Sequence, residues 1–270
     1  FGALTLNRCV VADNSGSAAV KAVYTWVNVA DSAIIRNQGW GINVNDGGYG
    51  RTAQVYSSQI QSNSSGIYLN YYLTVTVVSN TISGQTGGDG LQLELYGSGG
   101  LSAAGITGNV IRNNKIGIHN TSSGVPTFNI SGNDIAENSQ YEISNESGNV
   151  AIVANGNSWG AGLTSELSQD KLNLTRIFDV RDDGSKAQVL INQWYAKPAA
   201  GGGDPGPVQN LIYNVPGVTR IVSGRIEGQE TWVGKVLVVG DVTITETGLL
   251  AIAPGTQVVF DLRHDSEAGG

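Results

Sequence analysis

Glu94, His119 and Glu146 are the side chains of this sequence whose types suit acid–base chemistry on a shared surface. Each lies on or beside a short stretch in which apolar and polar residues alternate. If those stretches stack in parallel, Glu94 and Glu146 are two layers apart, which is about 9.6 Å between backbones. Flexible side chains could then reach the roughly 6.5–9.5 Å separation of the two carboxylates in an inverting glycosidase. The arrangement of the stretches therefore decides what these residues can do.

The stretches belong to a repeat, which is clearest in Gly108-Asn109-Val110-Ile111, Gly132-Asn133-Asp134-Ile135 and Gly156-Asn157-Ser158-Trp159. Continuing the same frame backwards aligns apolar residues at positions 11, 35, 60, 82, 111, 135 and 159, with steps of 24, 25, 22, 29, 24 and 24. A period of this length is typical of a solenoid, in which each unit buries its apolar face against the next one.

A second short strand follows in most copies, and its start reads Gly41-Ile42, Gly66-Ile67, Gly90-Leu91, Gly117-Ile118 and Glu142-Ile143. The alternation has period two, which predicts strands. Parallel stacking would align the inward Ile, Val and Leu residues in columns, and inward asparagines at one corner could form a ladder of amide hydrogen bonds. We therefore predict an all-β parallel β-helix of about seven turns of roughly 24 residues. The general crossover rule favours the right-handed form.

These Asn-x-Ile and Gly-Ile repeats, over roughly residues 4–160, resemble the right-handed parallel β-helix repeat family with the pectate-lyase-like fold. The fold hosts lyases, hydrolases, adhesins and inert spacers, so the resemblance implies a fold and leaves the activity open. The segment from Asn157 to Pro198 also resembles the junctions of modular bacterial surface or secreted β-helix proteins. That likeness implies export and a longer parent chain with further β-helix modules.

Charge density changes at the last repeat, from 15 charged residues in 1–160 to 22 in 161–270. We expect the β-helix to cover 1–160 and a cap or junction with a short helix, whose N-cap is Thr164 or Ser165, to cover 161–198. A Gly/Pro linker then spans 199–210. Residues 211–270 are predicted to be the β-rich start of a second, truncated β-helix.

The alternation also predicts which polar residues face outward. If Ile42, Ile67, Leu91, Ile118 and Ile143 point inward, two polar columns form on the outside. The residues expected to bind a ligand there are Asn43, Tyr68, Gln92 and His119 in one column and Asn45, Asn70, Glu94 and Glu146 in the other. Amides, carboxylates and an aromatic ring suit sugar hydroxyls and pyranose faces, and the columns run along the helix axis as an extended glycan would require. An ordinary solvated sheet face explains the same pattern.

Composition excludes several other functions. The net charge of −7 argues against a nucleic-acid partner, and the longest apolar runs are too short for a membrane span. One cysteine and two histidines leave no soft-metal site, so we expect no metal ligands and no cofactor. Asn45-Asp46-Gly47-Gly48 and Asp182-Asp183-Gly184-Ser185 could lend oxygens to Ca²⁺, but both are simpler to interpret as turns.

The sequence thus predicts a non-enzymatic, secreted or cell-surface module with a structural or adhesive role, whose polar face is where polysaccharide or cell-envelope glycan would bind. The alternative is a polysaccharide lyase or inverting glycoside hydrolase that uses Glu94, Glu146 and His119. The three are weak catalytic candidates, because related enzymes use three or more clustered acids, or calcium with a basic residue. A cleft would also need a wall, for which the longest repeat step offers the segment from Tyr96 to Ala104.

Overall fold

Most of the chain is covered by the computed structural model, which describes residues 2–169, 171, 173–195, 197, 208–210 and 218–260. The chain divides into two compact units, Phe1–Leu211 and Ile212–Gly270, and each is considered by itself. Residues 199–207 of the predicted 199–210 linker lie outside the described residues, as do 211–217 and 261–270.

In the first unit each turn is built from up to three short strands. Turns one to four contain β1 (Ala3–Asn7), β2 (Val10–Ala12), β3 (Ala18–Val23), β4 (Trp26–Ala30), β5 (Ala33–Ile35), β6 (Trp40–Asn45), β7 (Thr52–Tyr56), β8 (Gln59–Gln61), β9 (Ser65–Tyr71), β10 (Thr74–Val78), β11 (Thr81–Ser83) and β12 (Leu91–Leu95). Turns five to eight contain β13 (Gly100–Thr107), β14 (Val110–Arg112), β15 (Ile116–Asn120), β16 (Phe128–Ser131), β17 (Asp134–Ala136), β18 (Tyr141–Asn145), β19 (Ile152–Val153), β20 (Asn157–Trp159), helix α1 (Ala161–Ser168), β21 (Ile177–Phe178), β22 (Val189–Leu190) and β23 (Gln193–Tyr195).

Strands from successive turns pair in parallel and form three sheets. Sheet A has the order β1-β4-β7-β10-β13-β16-β19-β22, sheet B begins β2-β5-β8-β11-β14-β17-β20-β23, and sheet C is β3-β6-β9-β12-β15-β18-β21. A further strand, β24 (Val208–Asn210), pairs with β23 and is antiparallel to it. The predicted parallel β-solenoid is confirmed. The predicted count of seven turns is low, because β22 and β23 add an eighth turn and the second unit brings the total to about ten.

Inward side chains form the apolar columns that the repeat requires. Ile42, Ile67, Leu91, Ile118 and Ile143 are in register along sheet C and are all fully buried. In sheet B the predicted frame is correct except in β5, where Ile34 pairs with Val11 and Ile60 and is buried. The alignment of the repeats predicts that Ile35 points inward, but Ile35 is half-buried and pairs with Gln61.

Two ladders of polar side chains run along the corners on either side of sheet B. At the A–B corner, side-chain amides bond from Asn80 to Asn109, from Asn109 to Asn133 and from Asn133 to Asn157, at 2.9–3.0 Å. Asn133 also donates to the Ile106 carbonyl in the preceding turn. At the B–C corner the second ladder contains Asn14, Asn37, Asn63, Gln85, Asn114 and Asn138. The predicted amide ladder therefore exists twice, and its buried amides bond to one another and to the backbone.

In four of the seven sheet C strands (β6, β9, β12 and β15), a glycine comes directly before an inward Ile or Leu, and the closeness of the next turn requires it. A Cβ atom on Gly66 would lie 2.1 Å from the Gly90 carbonyl oxygen, and one on Gly117 would lie 2.5 Å from the Glu142 carbonyl oxygen. No side chain fits in that space without moving the backbone. The Gly-Ile pattern in the sequence therefore follows from the stacking of the turns.

Helix α1 follows β20 almost directly and begins earlier than predicted. Its N-cap is Gly160, and neither Thr164 nor Ser165 caps it. Thr164 lies within the helix, where its hydroxyl donates to the Trp159 carbonyl at 2.9 Å. The buried face of the helix, which includes Leu163 and Leu167, packs on the solenoid core.

The second unit is also a parallel stack. Its strands are β25 (Arg220–Ile226), β26 (Gln229–Trp232), β27 (Lys235–Ile244), β28 (Leu249–Ile252) and β29 (Gln257–Phe260). One sheet has the order β25-β27-β29 and the other pairs β26 with β28. Its small core contains Ile226, Trp232, Val236 and Val238.

Candidate functional site

The outer face of sheet C carries the polar residues that the alternation predicts. In one column Asn43, Tyr68, Gln92 and His119 are aligned by the strand register. In the second column Asn45, Asn70 and Glu94 are aligned in the same way, and Glu146 follows directly after β18. Glu146 is exposed, Asn70 is buried, and the other six are half-buried.

Tyr68 is the centre of a hydrogen-bonded cluster in the middle of this face. Its ring stacks on Trp40, with centroids 5.3 Å apart and planes inclined by 30°. Its hydroxyl donates to the Glu94 carboxylate and accepts from the Asn70 amide. Glu94 also accepts from the Tyr96 hydroxyl at 2.8 Å. A single carboxylate thus holds two tyrosines from neighbouring turns.

The same contacts keep both tyrosines protonated. Burial and the hydrogen bond to Glu94 raise the pKa of Tyr68 far above its usual range. The hydrogen bond to Glu94, with some burial, also raises the pKa of Tyr96. Both hydroxyls are therefore neutral hydrogen-bonding groups, and neither is suited to act as a base.

His119 lies in a second cluster further along the face, between two carboxylates. Its Nδ1 is 2.7 Å from Asp89 Oδ2, and its Nε2 is 3.2 Å from Glu146 Oε1 without the alignment of a hydrogen bond. Burial lowers the pKa of His119, but the Asp89 hydrogen bond and the two negative charges outweigh it, so the pKa lies above the ordinary value. Asp89 lies in the loop between β11 and β12, outside the alternating pattern that predicts the face, so the sequence did not indicate this contact.

The structure does not bring Glu94 and Glu146 into one site. Glu94 is bonded to Tyr68, Asn70 and Tyr96, whereas Glu146 faces His119. Among the side chains that the structure describes, no contact joins the two glutamates. Ser144, the next member of the first column, is buried, so the accessible part of that column ends at His119.

The predicted wall from Tyr96 to Ala104 is not a wall of this face. Tyr96 belongs to the sheet C cluster, but residues 98–106 line a hollow of about 480 Å³ on the outside of sheet A, together with Pro126 and Asn129. The cause is an irregularity in the pairing of β10 with β13, where the register shifts between Val75 and Val77. The extra residues of the long repeat are absorbed there.

The two candidate calcium turns use their carboxylates internally. Asp46 is fully buried and accepts hydrogen bonds from Arg51 and from the backbone of Tyr49 and Gly50. Asp183 accepts from the backbone and the hydroxyl of Ser185, which holds the pKa of Asp183 below its usual value. Within the described residues, no three His, Cys, Asp or Glu side chains are grouped as a metal site would require.

Comparison with known proteins gives the class of the molecule. The family model described as right handed beta helix region matches residues 2–158, and the chain belongs to that family. No curated protein and no solved structure matches the chain in the same comparisons. None of the helices in the described part of the chain is long and apolar enough to cross a membrane.

Proposed function

We propose that this chain is a secreted or cell-surface β-helix module with a structural or adhesive role, which binds polysaccharide on the outer face of sheet C. The observation that carries the proposal is the stacked pair of Trp40 and Tyr68, with the Tyr68 hydroxyl bonded to Asn70 and Glu94. An aromatic ring beside fixed amide and carboxylate groups suits the apolar face and the hydroxyl groups of a sugar.

The rigidity of the face supports this role. Strands fix its side chains at intervals of about 4.8 Å, and hydrogen bonds hold the Tyr68 ring, so little side-chain entropy remains to be lost on binding. The extracellular location rests on the resemblance of the segment from Asn157 to Pro198 to junctions in modular surface proteins. We propose further β-helix modules of the same parent chain as neighbours, and the parallel strands of the second unit are consistent with a tandem array.

Replacement of Tyr68 tests the binding role. Tyr68→Ala is expected to weaken retention on the polysaccharides that the native chain binds by at least about tenfold, or about 1.4 kcal/mol. Tyr68→Phe keeps the stacking on Trp40 and should lose less. Retention is measured by affinity electrophoresis in gels that contain β-glucan, xylan or polygalacturonate. Tyr56→Ala, which removes a half-buried tyrosine from the end of β7 in sheet A, is the matched control and should leave retention unchanged.

The outcome is decisive only if the variants are folded, so the melting temperature of each is measured as well. Equal retention of the Tyr68→Ala variant and the native chain would contradict the proposal. A loss of retention that the Tyr56→Ala variant shares would show that the sheet C face is not responsible.

One observation favours the enzymatic alternative. Asp89 and Glu146 face the two nitrogens of His119, and an imidazole between two carboxylates is suited to proton transfer. The separate positions of Glu94 and Glu146 favour binding over catalysis. Release of reducing ends or unsaturated uronates from any of the three polysaccharides, if abolished in Glu94→Gln or Glu146→Gln, would replace the binding proposal with the catalytic one.

A further inference from the structure

Four aromatic side chains and one carboxylate form a continuous track on the surface of the first unit. Trp40 stacks on Tyr68, the hydroxyls of Tyr68 and Tyr96 both donate to Glu94, and the Tyr96 ring lies 5.7 Å from that of Tyr71. We call these five residues the aromatic track. Its members come from turns two, three and four.

The track follows the strands more than the helix axis. Trp40 is the first residue of β6 and pairs with Ser65, and Tyr71 is the last residue of β9. Six residues of strand separate the two ends, which is about 20 Å, whereas turns two and four are only about 10 Å apart. The track is long enough for an oligosaccharide, and it is oblique to the axial columns that the sequence predicts.

The track ends at the corner between sheets C and A, which is unusually apolar at its surface. Of the six large hydrophobic side chains that are exposed among the described residues of the first unit, all but Val10 lie at this corner: Val23, Tyr24, Trp26, Tyr49 and Tyr71, between 40% and 62% exposed. Exposed aromatic residues that cluster in this way mark a binding surface.

A buried ion pair holds part of this corner in place. The Arg51 guanidinium bonds to Asp46 at 2.9 Å and lies over the rings of Tyr49 and Trp26, 4.5 and 5.2 Å from their centroids. Tyr24 packs edge-on against Tyr49 at 5.6 Å. The aromatic surface is thus preformed, as expected of a ligand site.

The charge on the track limits what it can bind. Glu94 has no basic partner among the described residues, since its hydrogen bonds come from Tyr68, Asn70 and Tyr96. Elsewhere on the face, Asp89 and Glu146 flank His119. The exposed Lys21 of β3 lies in the same column as Tyr68, two turns away. The chain as a whole has a net charge of −7. A polymer with a carboxylate on each sugar would place like charges against Glu94 in a partly buried site, which costs binding energy.

We propose that the ligand is an uncharged polysaccharide of pyranose sugars, bound along the aromatic track from Trp40 to the corner at Tyr71. This inference rests on the proposed function and adds the ligand class and its path. Each ring offers an apolar surface to one sugar face, and the half-buried Glu94 carboxylate is placed to bond sugar hydroxyls. A polyuronate is the ligand that the track disfavours.

Calorimetry with three hexasaccharides tests the ligand class. The probes are cellohexaose and N-acetylated chitohexaose, which are uncharged, and hexagalacturonate. The native chain should bind one of the uncharged hexaoses at least tenfold more tightly than hexagalacturonate. Glu94→Gln should reduce that preference by tightening the binding of hexagalacturonate.

Two variants test the path. Tyr71→Asn removes the ring at the far end of the track, and asparagine tolerates the positive φ of 72° at this position. It should weaken binding of the uncharged hexaose by about tenfold and leave binding of the corresponding disaccharide unchanged. Tyr56→Ala on sheet A is again the control and should bind as the native chain does.

The outcomes separate this inference from the proposed function. Absence of binding to all three probes and all three polysaccharides overturns both. Preference for hexagalacturonate, or loss of binding in Tyr68→Ala without loss in Tyr71→Asn, overturns the inference and leaves the proposed function standing. A native dimer in sedimentation analysis that Tyr71→Asn dissociates would make the corner a protein interface and would likewise overturn it.

Discussion

Asn109 shows how a single polar side chain can be fully buried in this fold. Its amide donates to Asn133 at 2.9 Å and to the Val77 carbonyl at 2.8 Å, while its oxygen accepts from the backbone and the amide of Asn80. A buried amide without partners would cost about 1–3 kcal/mol. Here every turn supplies the acceptor that the previous turn needs, so asparagine is as well suited to the corner as isoleucine is to the core.

His119 supports a prediction about pH at the same scale. Its pKa is raised by Asp89 and Glu146 against the effect of burial. A histidine whose pKa is higher in the folded state stabilises the fold fully below its unfolded pKa of about 6.5, and that contribution is lost as the pH rises through the folded value. Asp89→Asn should therefore lower the pKa of His119 and reduce the gain in stability on acidification.

NMR titration of the imidazole signals measures this effect directly. The chain has only two histidines, so His264 provides an internal reference. Asp31→Asn, at an exposed position away from the face, is the matched control. An unchanged His119 titration in Asp89→Asn would mean that the contact with Asp89 does not form in solution.

At the scale of the strand, register determines which residues the solenoid buries. Because successive side chains point to opposite sides, a shift of one residue exchanges the core and the surface. Adjacent isoleucines in β5 show this most clearly, since Ile34 is buried at 0% exposure and Ile35 is half-buried on the outer side.

The two isoleucines therefore provide a matched pair of substitutions. Ile34→Asn removes a buried aliphatic group and buries an amide, and we expect it to lower the free energy of unfolding by about 3–5 kcal/mol. Ile35→Asn should cost about 1 kcal/mol or less. Denaturant unfolding of both variants measures the difference, and equal costs would show that the β5 register is wrong.

Much of the solenoid fold could be predicted from the sequence, because every turn requires inward apolar residues and corner amides at the same positions. The error at Ile34 arose where three apolar residues follow one another, Ala33-Ile34-Ile35, so that hydrophobicity alone left the register open. The position of Asn37 indicates the correct register. Asn37 lies three residues after Ile34, as Asn63 does after Ile60 and Asn114 after Ile111.

The candidate site was only partly predictable, because some of its contacts do not repeat from turn to turn. Tyr68, Asn70 and Glu94 lie on strands, where alternation determines the direction of the side chain. Asp89 lies in a turn and Trp40 at the start of a strand, and their contacts depend on local turn geometry that does not repeat. The oblique path of the aromatic track could not be inferred from columns counted along the axis.

Over the whole molecule, each turn of the solenoid contacts only its neighbours. The free energy needed to open a turn therefore depends on where that turn lies in the stack. Inward residues of the middle turns, such as Ile60, Ile82 and Ile111, are completely buried, whereas Leu4 and Leu6 in β1 are half-buried. Among the described strands of the 270-residue chain, β1 and β2 are each paired on one side only, with β4 and β5. Local opening should therefore be easiest there.

Hydrogen exchange should follow this gradient. Peptides that cover β1 and β2 are expected to exchange at least tenfold faster than peptides that cover β8, β11 and β14, because opening the first turn breaks a single interface. Exchange detected by mass spectrometry on the 270-residue chain measures it. Uniform protection from β1 to β14 would contradict nearest-neighbour behaviour and indicate one cooperative unit.

The glycine that four sheet C strands share has a consequence for how such a chain can change its length. The 24 residues from 108 to 131 contain Asn109 and Asn114, one member of each amide ladder. They also contain Gly117, whose lack of a side chain allows the backbone of the next turn to approach closely. A duplicated copy of this segment would present to each neighbour the surface that the neighbour already fits. A longer solenoid can thus arise by copying one unit, with no new interface to be selected. The aromatic track, which lies in turns two to four, would keep its geometry.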